Sequence, residues 1–150
     1  MKTRFVLIET SHAGNVGAAA RAIKTMGFDE LVLVRPRWPN VLRKEETIQR
    51  ASGALDVLAN CRIVDTVDEA LDGISHLCAT AMTPRDFGPP ARTPRQHFAM
   101  LLKGELKPAL DAREQPVLSK TDTAAIDQSG ETGVAFLFGC ERYGMANEDV

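Results

Sequence analysis

The sequence predicts a single α/β domain built on an open, mostly parallel sheet with helices on both faces. Three observations carry that prediction. Short uninterrupted apolar runs, Phe5-Val6-Leu7-Ile8, Leu31-Val32-Leu33-Val34 and Val134-Ala135-Phe136-Leu137-Phe138, have the character of strands covered on both faces. Helical stretches alternate with the strands along the chain, as in parallel sheets joined by helical crossovers. The 150 residues, 44% hydrophobic and 25% charged, suit one domain with a sizeable core.

Arg4 to Ile8 is the first strand. The chain then turns through Ser11, His12, Ala13 and Gly14, and Asn15 stands at the predicted N-cap of a helix that ends at a C-cap glycine, Gly27. At 100° per residue, Val16, Ala19, Ile23 and Met26 share its inner side while Arg21 points away. Gly17 is expected one turn before Arg21 on the exposed face, where a missing Cβ admits a bulky partner. Leu31 to Val34 is a second strand, ended by the basic loop Arg35-Pro36-Arg37-Trp38-Pro39-Asn40. Trp38 either anchors a base or partner or folds back on the domain, and the sequence leaves both open.

Lys44 to Ser52 reads as a short helix with Glu46 and Arg50 paired at i,i+4. A third strand, Cys61 to Val64, leads to a helix from Val67 to Leu71 stopped at Gly73. The fourth strand begins at His76 and ends in the small polar run Thr80-Ala81-Met82-Thr83. Prolines and arginines make residues 84–94 a long loop, followed by a helix from Arg95 to Lys103 with Phe98, Leu101 and Leu102 facing inward. Residues 119–133 are polar and read as an exposed insertion. Val134 to Gly139 is the most apolar strand and is expected in a central position of the sheet. It delivers the tight loop Cys140-Glu141-Arg142-Tyr143-Gly144, and Asn147-Glu148-Asp149 reads as the acidic start of another helix.

No apolar run approaches the ~20 residues of a membrane span, and no signal-peptide core follows Met1, so a cytosolic protein is expected. Cys61, Cys78 and Cys140 are odd in number and far apart, and His12, His76 and His97 are scattered, so neither a disulfide framework nor a metal site is predicted. A net charge of −2 gives no global attraction to nucleic acid. Locally, Arg35, Arg37, Arg43, Lys44 and Arg50 form one basic cluster and Arg85, Arg92 and Arg95 another, read as solvated loops or as phosphate contacts.

Several chemistries fail on spacing. Gly14-x-x-Gly17 is not a dinucleotide fingerprint, Gly139-x-x-x-x-Gly144 lacks the Lys-Ser/Thr of a P-loop, and no nucleophile elbow is present. Ligands of open α/β sheets sit beyond the carboxyl ends of the strands. The segments there are Ser11 to Arg21, Thr80 to Met82 and Gly139 to Gly144, which offer backbone groups, one arginine and one glutamate.

Asn15, Gly17 and Arg21, together with Phe-Gly-Cys-Glu-Arg-Tyr-Gly-Met at 138–145, resemble motifs one and two of the SPOUT-class RNA ribose 2′-O-methyltransferases. The wording of residues 9–28, 65–71 and 139–149 is similar to the bacterial branch that methylates a cytidine or uridine ribose in the tRNA anticodon loop, at nucleotide 32. The resemblance is weakest over residues 83–133. It implies that Arg21 activates the ribose hydroxyl, that Asn15 lies near the RNA and subunit contact, and that Glu141 orders the region around Asn15 and Arg21. A surface ion pair of Glu141 with Arg142 or Arg21 is the competing reading. The resemblance further implies that Thr80, Ala81, Met82 and Gly139 line an S-adenosylmethionine site, that tRNA is the partner and that the protein is a homodimer. The family's third motif, a Ser-Leu-Asn segment completing a trefoil knot, has no counterpart up to Val150. The chain is therefore expected to be the N-terminal part of such a domain, inactive by itself. A ribosomal RNA methyltransferase of the same fold and a non-catalytic RNA-binding or dimerisation module are the alternatives.

Overall fold

The computed structural model describes residues 2–81, 90–105 and 133–146. Five strands, β1 (Lys2–Ile8), β2 (Glu30–Val34), β3 (Arg62–Val64), β4 (His76–Ala79) and β5 (Gly133–Phe138), form one sheet in the order β3-β2-β1-β5-β4. Every neighbouring pair is parallel, as the apolar runs predict. The α-helices are α1 (Ala13–Thr25), α2 (Glu45–Ala51), α3 (Leu55–Asn60), α4 (Val67–Leu71) and α5 (Pro94–Leu102). No helix among the described residues is long and apolar enough to cross a membrane.

The sheet separates two cores. Phe5, Leu7, Leu31 and Leu33 face Val16, Ala20 and Ile23 of α1, Ala51 of α2 and Val57 and Leu58 of α3. Val6, Ile8, Val32, Val34, Ala135 and Leu137 face the other way, toward Ala70 of α4 and Met145. Burial on both faces is why these strands are apolar without alternation. Arg4 is the exception on β1. It is only 4% exposed, ion-paired with Glu30 at 2.8 Å, and it donates to the carbonyls of Ala70 and Asp72 at the C-terminal end of α4.

β5 lies inside the sheet as expected, between β1 and β4, and β1 is the middle of the five strands. The local departures lie mainly around α1. That helix starts at Ala13 with His12 in the N-cap position, because Asn15 sits inside the first turn with its amide committed elsewhere. Ile23 and Val16 are buried as predicted, but Met26 is the C-cap residue and 71% exposed. Gly27, at φ 81°, then turns the chain so that the Phe28 amide bonds back to Ile23. Gly17 is buried instead of exposed. A Cβ there would collide with the Thr47 carbonyl and come within 2.9 Å of the Ala51 nitrogen. The close partner its bareness admits is α2 of the same chain.

Thr47, fully buried, fastens that contact through a hydroxyl 2.6 Å from the Val41 carbonyl and 3.0 Å from that of Ala13. The predicted Glu46 to Arg50 pair does not form. Gln49 donates to Glu45 at 2.8 Å, and the Glu46 carboxylate lies against Gly14 at the start of α1. The sequence reading missed α3. It placed α5 correctly, with a Thr93 and Gln96 capping box, but Phe98 is 46% and Leu102 85% exposed. Phe98 meets the sheet through Phe136, at 5.5 Å between ring centres. The expectations for residues 82–89, 119–132 and 147–149 lie outside the described residues.

Candidate functional site

After β1 the chain enters α1 on one face of the sheet, whereas after β5 it returns to the other, where Met145 packs. Two adjacent parallel strands whose continuations diverge leave a crevice at their carboxyl ends, the usual ligand position in such sheets. Glu141 bridges that crevice. Its Oε1 accepts from the Thr10 hydroxyl at 2.7 Å and the Asn15 amide at 2.8 Å. Its Oε2 accepts from the Ser11 backbone amide and the Ser11 hydroxyl, both at 2.8 Å. Burial alone would raise the Glu141 pKa, but the hydrogen bonds from Thr10, Ser11 and Asn15 outweigh it and hold the carboxyl well below the ordinary range. An ionised Glu141 only accepts, so the Ser11 hydroxyl hydrogen goes to it. The Ser11 oxygen is then left to accept from Nδ1 of His12, 2.8 Å away.

The loop that presents Glu141 is closed by reciprocal backbone bonds of 2.9 Å between Cys140 and Gly144. Gly144 takes φ 73°, and a Cβ on Gly139 would run into the Gly144 and Met145 backbone. Both glycines are therefore required by the turn. At the neighbouring strand end, the Thr80 amide and hydroxyl both donate to the Leu137 carbonyl, at 2.9 and 2.8 Å. Thr80 and Gly139 thus share one rim, with exposed Ala81 following, while Met82 lies outside the described residues.

The structure joins Asn15 to Glu141 and sets Thr80 beside the strand that ends at Gly139. It does not join Arg21 to them. Arg21 is exposed, eight residues into α1 and so about 12 Å along the axis from its first residue. Among the described residues its guanidinium has no hydrogen-bond or ion-pair partner, and Glu141 makes no ion pair with Arg21 or Arg142. Sequence reasoning missed Thr10, which is 4% exposed, and passed over Ser11 as part of a turn. Their only signal is two hydroxyls directly after an apolar strand. A shallow depression lined by Arg62, Val64, Asp68, Glu69 and Asp72 lies apart, at the β3 edge.

The profile of the SpoU rRNA Methylase family matches residues 2–150. Over 147 residues the chain is 40% identical to the tRNA (cytidine/uridine-2'-O-)-methyltransferase TrmJ of Escherichia coli (strain K12), covering 98% of this chain and 49% of that protein. The chain spans about half the length of the curated relatives it matches. Among solved structures, a probable methyltransferase from Bordetella pertussis Tohama I superposes with a TM-score of 0.74 at 38% identity, covering 99% of this chain and 75% of that one. TrmJ from Z. mobilis ZM4 gives 0.72 at 32% identity, with coverage of 100% and 55%.

Proposed function

The chain belongs to the SpoU rRNA Methylase family, and from that premise we propose that the protein carrying it is a tRNA ribose 2′-O-methyltransferase. It uses S-adenosylmethionine, acts on cytidine or uridine at position 32 of the anticodon loop, and works as a homodimer. The observation that supports this reading best is the Glu141 joint. It ties the two segments that carry the methyltransferase resemblance into one crevice through four hydrogen bonds.

The rim is compatible with an adenosyl group. Gly139 has no side chain, Thr80 turns both polar groups inward onto Leu137, and Phe138 presents a ring that is 38% exposed. Thr80, Ala81, Met82 and Gly139 are the residues assigned to hold it. When bound, S-adenosylmethionine supplies an electrophilic methyl group. The chain's own part is to position the acceptor oxygen and stabilise charge on it. A guanidinium is a poor general base, so Arg21 acts electrostatically on the ribose oxygen or an adjacent phosphate, and the proton leaves to phosphate or water. Asn15 and Glu141 fix the entry of α1, the helix on which Arg21 stands.

The test is methyl transfer from labelled S-adenosylmethionine by the full-length protein to tRNA transcripts, with ribosomal RNA as the competing acceptor. Methylation of tRNA at nucleotide 32, lowered by about 100-fold or more in Arg21→Ala, is the expected result. Transfer to ribosomal RNA alone would move the substrate, and no transfer to either would overturn the reading.

A further inference from the structure

The segment between β2 and α2 holds a second group of side chains. Trp38, 39% exposed, carries two cations over its ring, Arg37 at 5.0 Å and Lys44 at 4.3 Å from the centroid. Among the described residues neither makes an ion pair with a carboxylate, and neither do Arg43 and Arg50. The nearby carboxylates are engaged elsewhere. Glu9 pairs with Arg35 at 3.2 Å, Glu45 accepts from Gln49, and Glu46 lies against Gly14.

The loop is also tied down. Its Arg37 amide donates to the Thr10 carbonyl at 3.1 Å, and the Val41 amide to Trp38 at 3.0 Å. Thr10 is the buried residue whose hydroxyl holds Glu141. The Trp38 group is therefore coupled through one residue to the crevice where the acceptor nucleotide is placed.

A cation held over an aromatic ring is oriented without being neutralised. Two such cations side by side, with no carboxylate paired to them among the described residues, match an anion from outside. A guanidinium and an ammonium are the two side-chain groups best suited to phosphate oxygens. We infer that Arg37, Trp38 and Lys44 form a phosphate clamp that grips the RNA backbone flanking the acceptor nucleotide. Trp38 is the scaffold of the clamp, since its ring already carries the two cations. The contact therefore positions the RNA without reading its bases. This inference rests on the methyltransferase reading above.

The experiment measures the affinity of the full-length protein for a labelled tRNA transcript over a salt series, with methylation kinetics alongside. Arg37→Gln combined with Lys44→Gln should reduce the slope of log affinity against log salt by about 1.4 to 2. It should raise the KM for tRNA about tenfold and leave kcat within about twofold. Trp38→Leu, which keeps both charges but releases them, should fall between this variant and the wild type. Gln at the exposed Arg62, on the β3 edge, should change nothing and controls for net charge. A double variant with wild-type slope and KM overturns the clamp, as does an equal loss in Arg62→Gln. Wild-type protein that neither binds nor methylates RNA would instead overturn the functional reading, which separates the two failures.

Discussion

Replacing Glu141 by glutamine keeps the size of the side chain and removes its ability to accept on both sides. Four donors from the segment after β1 converge on the carboxylate, two on each oxygen, and the Cys140 thiol adds a weak contact to Oε2 at 3.9 Å. A glutamine must turn its NH2 toward either the Thr10 and Asn15 pair or the two Ser11 groups; the hydroxyl on that side can turn to accept, but the Asn15 NH2 or the Ser11 backbone N–H is left facing a donor, and every remaining bond loses its charged acceptor. Hydrogen bonds to a charged acceptor contribute about 1.5–3 kcal/mol when sheltered, and exposed ones well under 1 kcal/mol. Thr10, at 4% exposure, is the one buried donor residue. The expected loss is therefore about 2 kcal/mol, or roughly 4–8 °C in Tm for a domain of this size. The assay is calorimetric or fluorescence melting of wild type and Glu141→Gln between pH 3 and pH 7. The folded carboxyl titrates below its ordinary value of 4.5. Its stabilisation is thus fully present above about pH 4.5 and is lost as pH falls from there toward the folded pKa. The gap between the two proteins should be constant from pH 7 to about pH 5 and close on further acidification. A gap under about 1 °C at pH 7, or one that widens in acid, refutes the account.

Two further substitutions test how the site is supported. Gly17→Ala raises helix propensity by ~1 kcal/mol, yet its Cβ meets the α2 backbone, so a net destabilisation of about 2–3 kcal/mol is expected on chemical denaturation. A stabilised variant would mean that α1 and α2 can separate freely. Arg4→Met leaves Glu30 without its buried partner and should cost about 3 kcal/mol, whereas adding Glu30→Leu should recover much of that loss. Equal stability of the single and double variants would show that the Arg4 bonds to Ala70 and Asp72 carry the effect.

The legible part of the fold was what periodicity encodes. The apolar runs specified buried parallel strands, and Gly27 and Gly73 marked the ends of α1 and α4 because both must take positive φ. Gly17 was misplaced because a glycine contributes nothing to an amphipathic pattern, and its burial depends on where α2 lands. The order of the strands is not local information either. β5, the most apolar strand, is paired on both edges, by β1 and β4, yet β1 rather than β5 is the third of the five. At the site, Asn15 and Glu141 were picked out by motif. The two hydroxyl residues that complete the joint were not, because Thr10 and Ser11 gain their role only from a carboxylate 130 or 131 positions away.

The start of α1 shows why that joint matters for the helix beyond it. Its first turn contains no acidic residue, and His12 supplies no side-chain cap, so its exposed amides and positive dipole end lack the usual local compensation. Two carboxylates from distant segments stand in their place: Glu46 against Gly14, and Glu141 on the Ser11 amide and the Asn15 side chain. One comes from α2 and the other from the loop after β5, so the direction in which α1 leaves the sheet is set by tertiary contacts on two sides. Arg21, whose guanidinium has no partner among the described residues, depends on that direction for its aim. The Glu141 carboxylate, which makes no contact with Arg21, can thus decide where the guanidinium points.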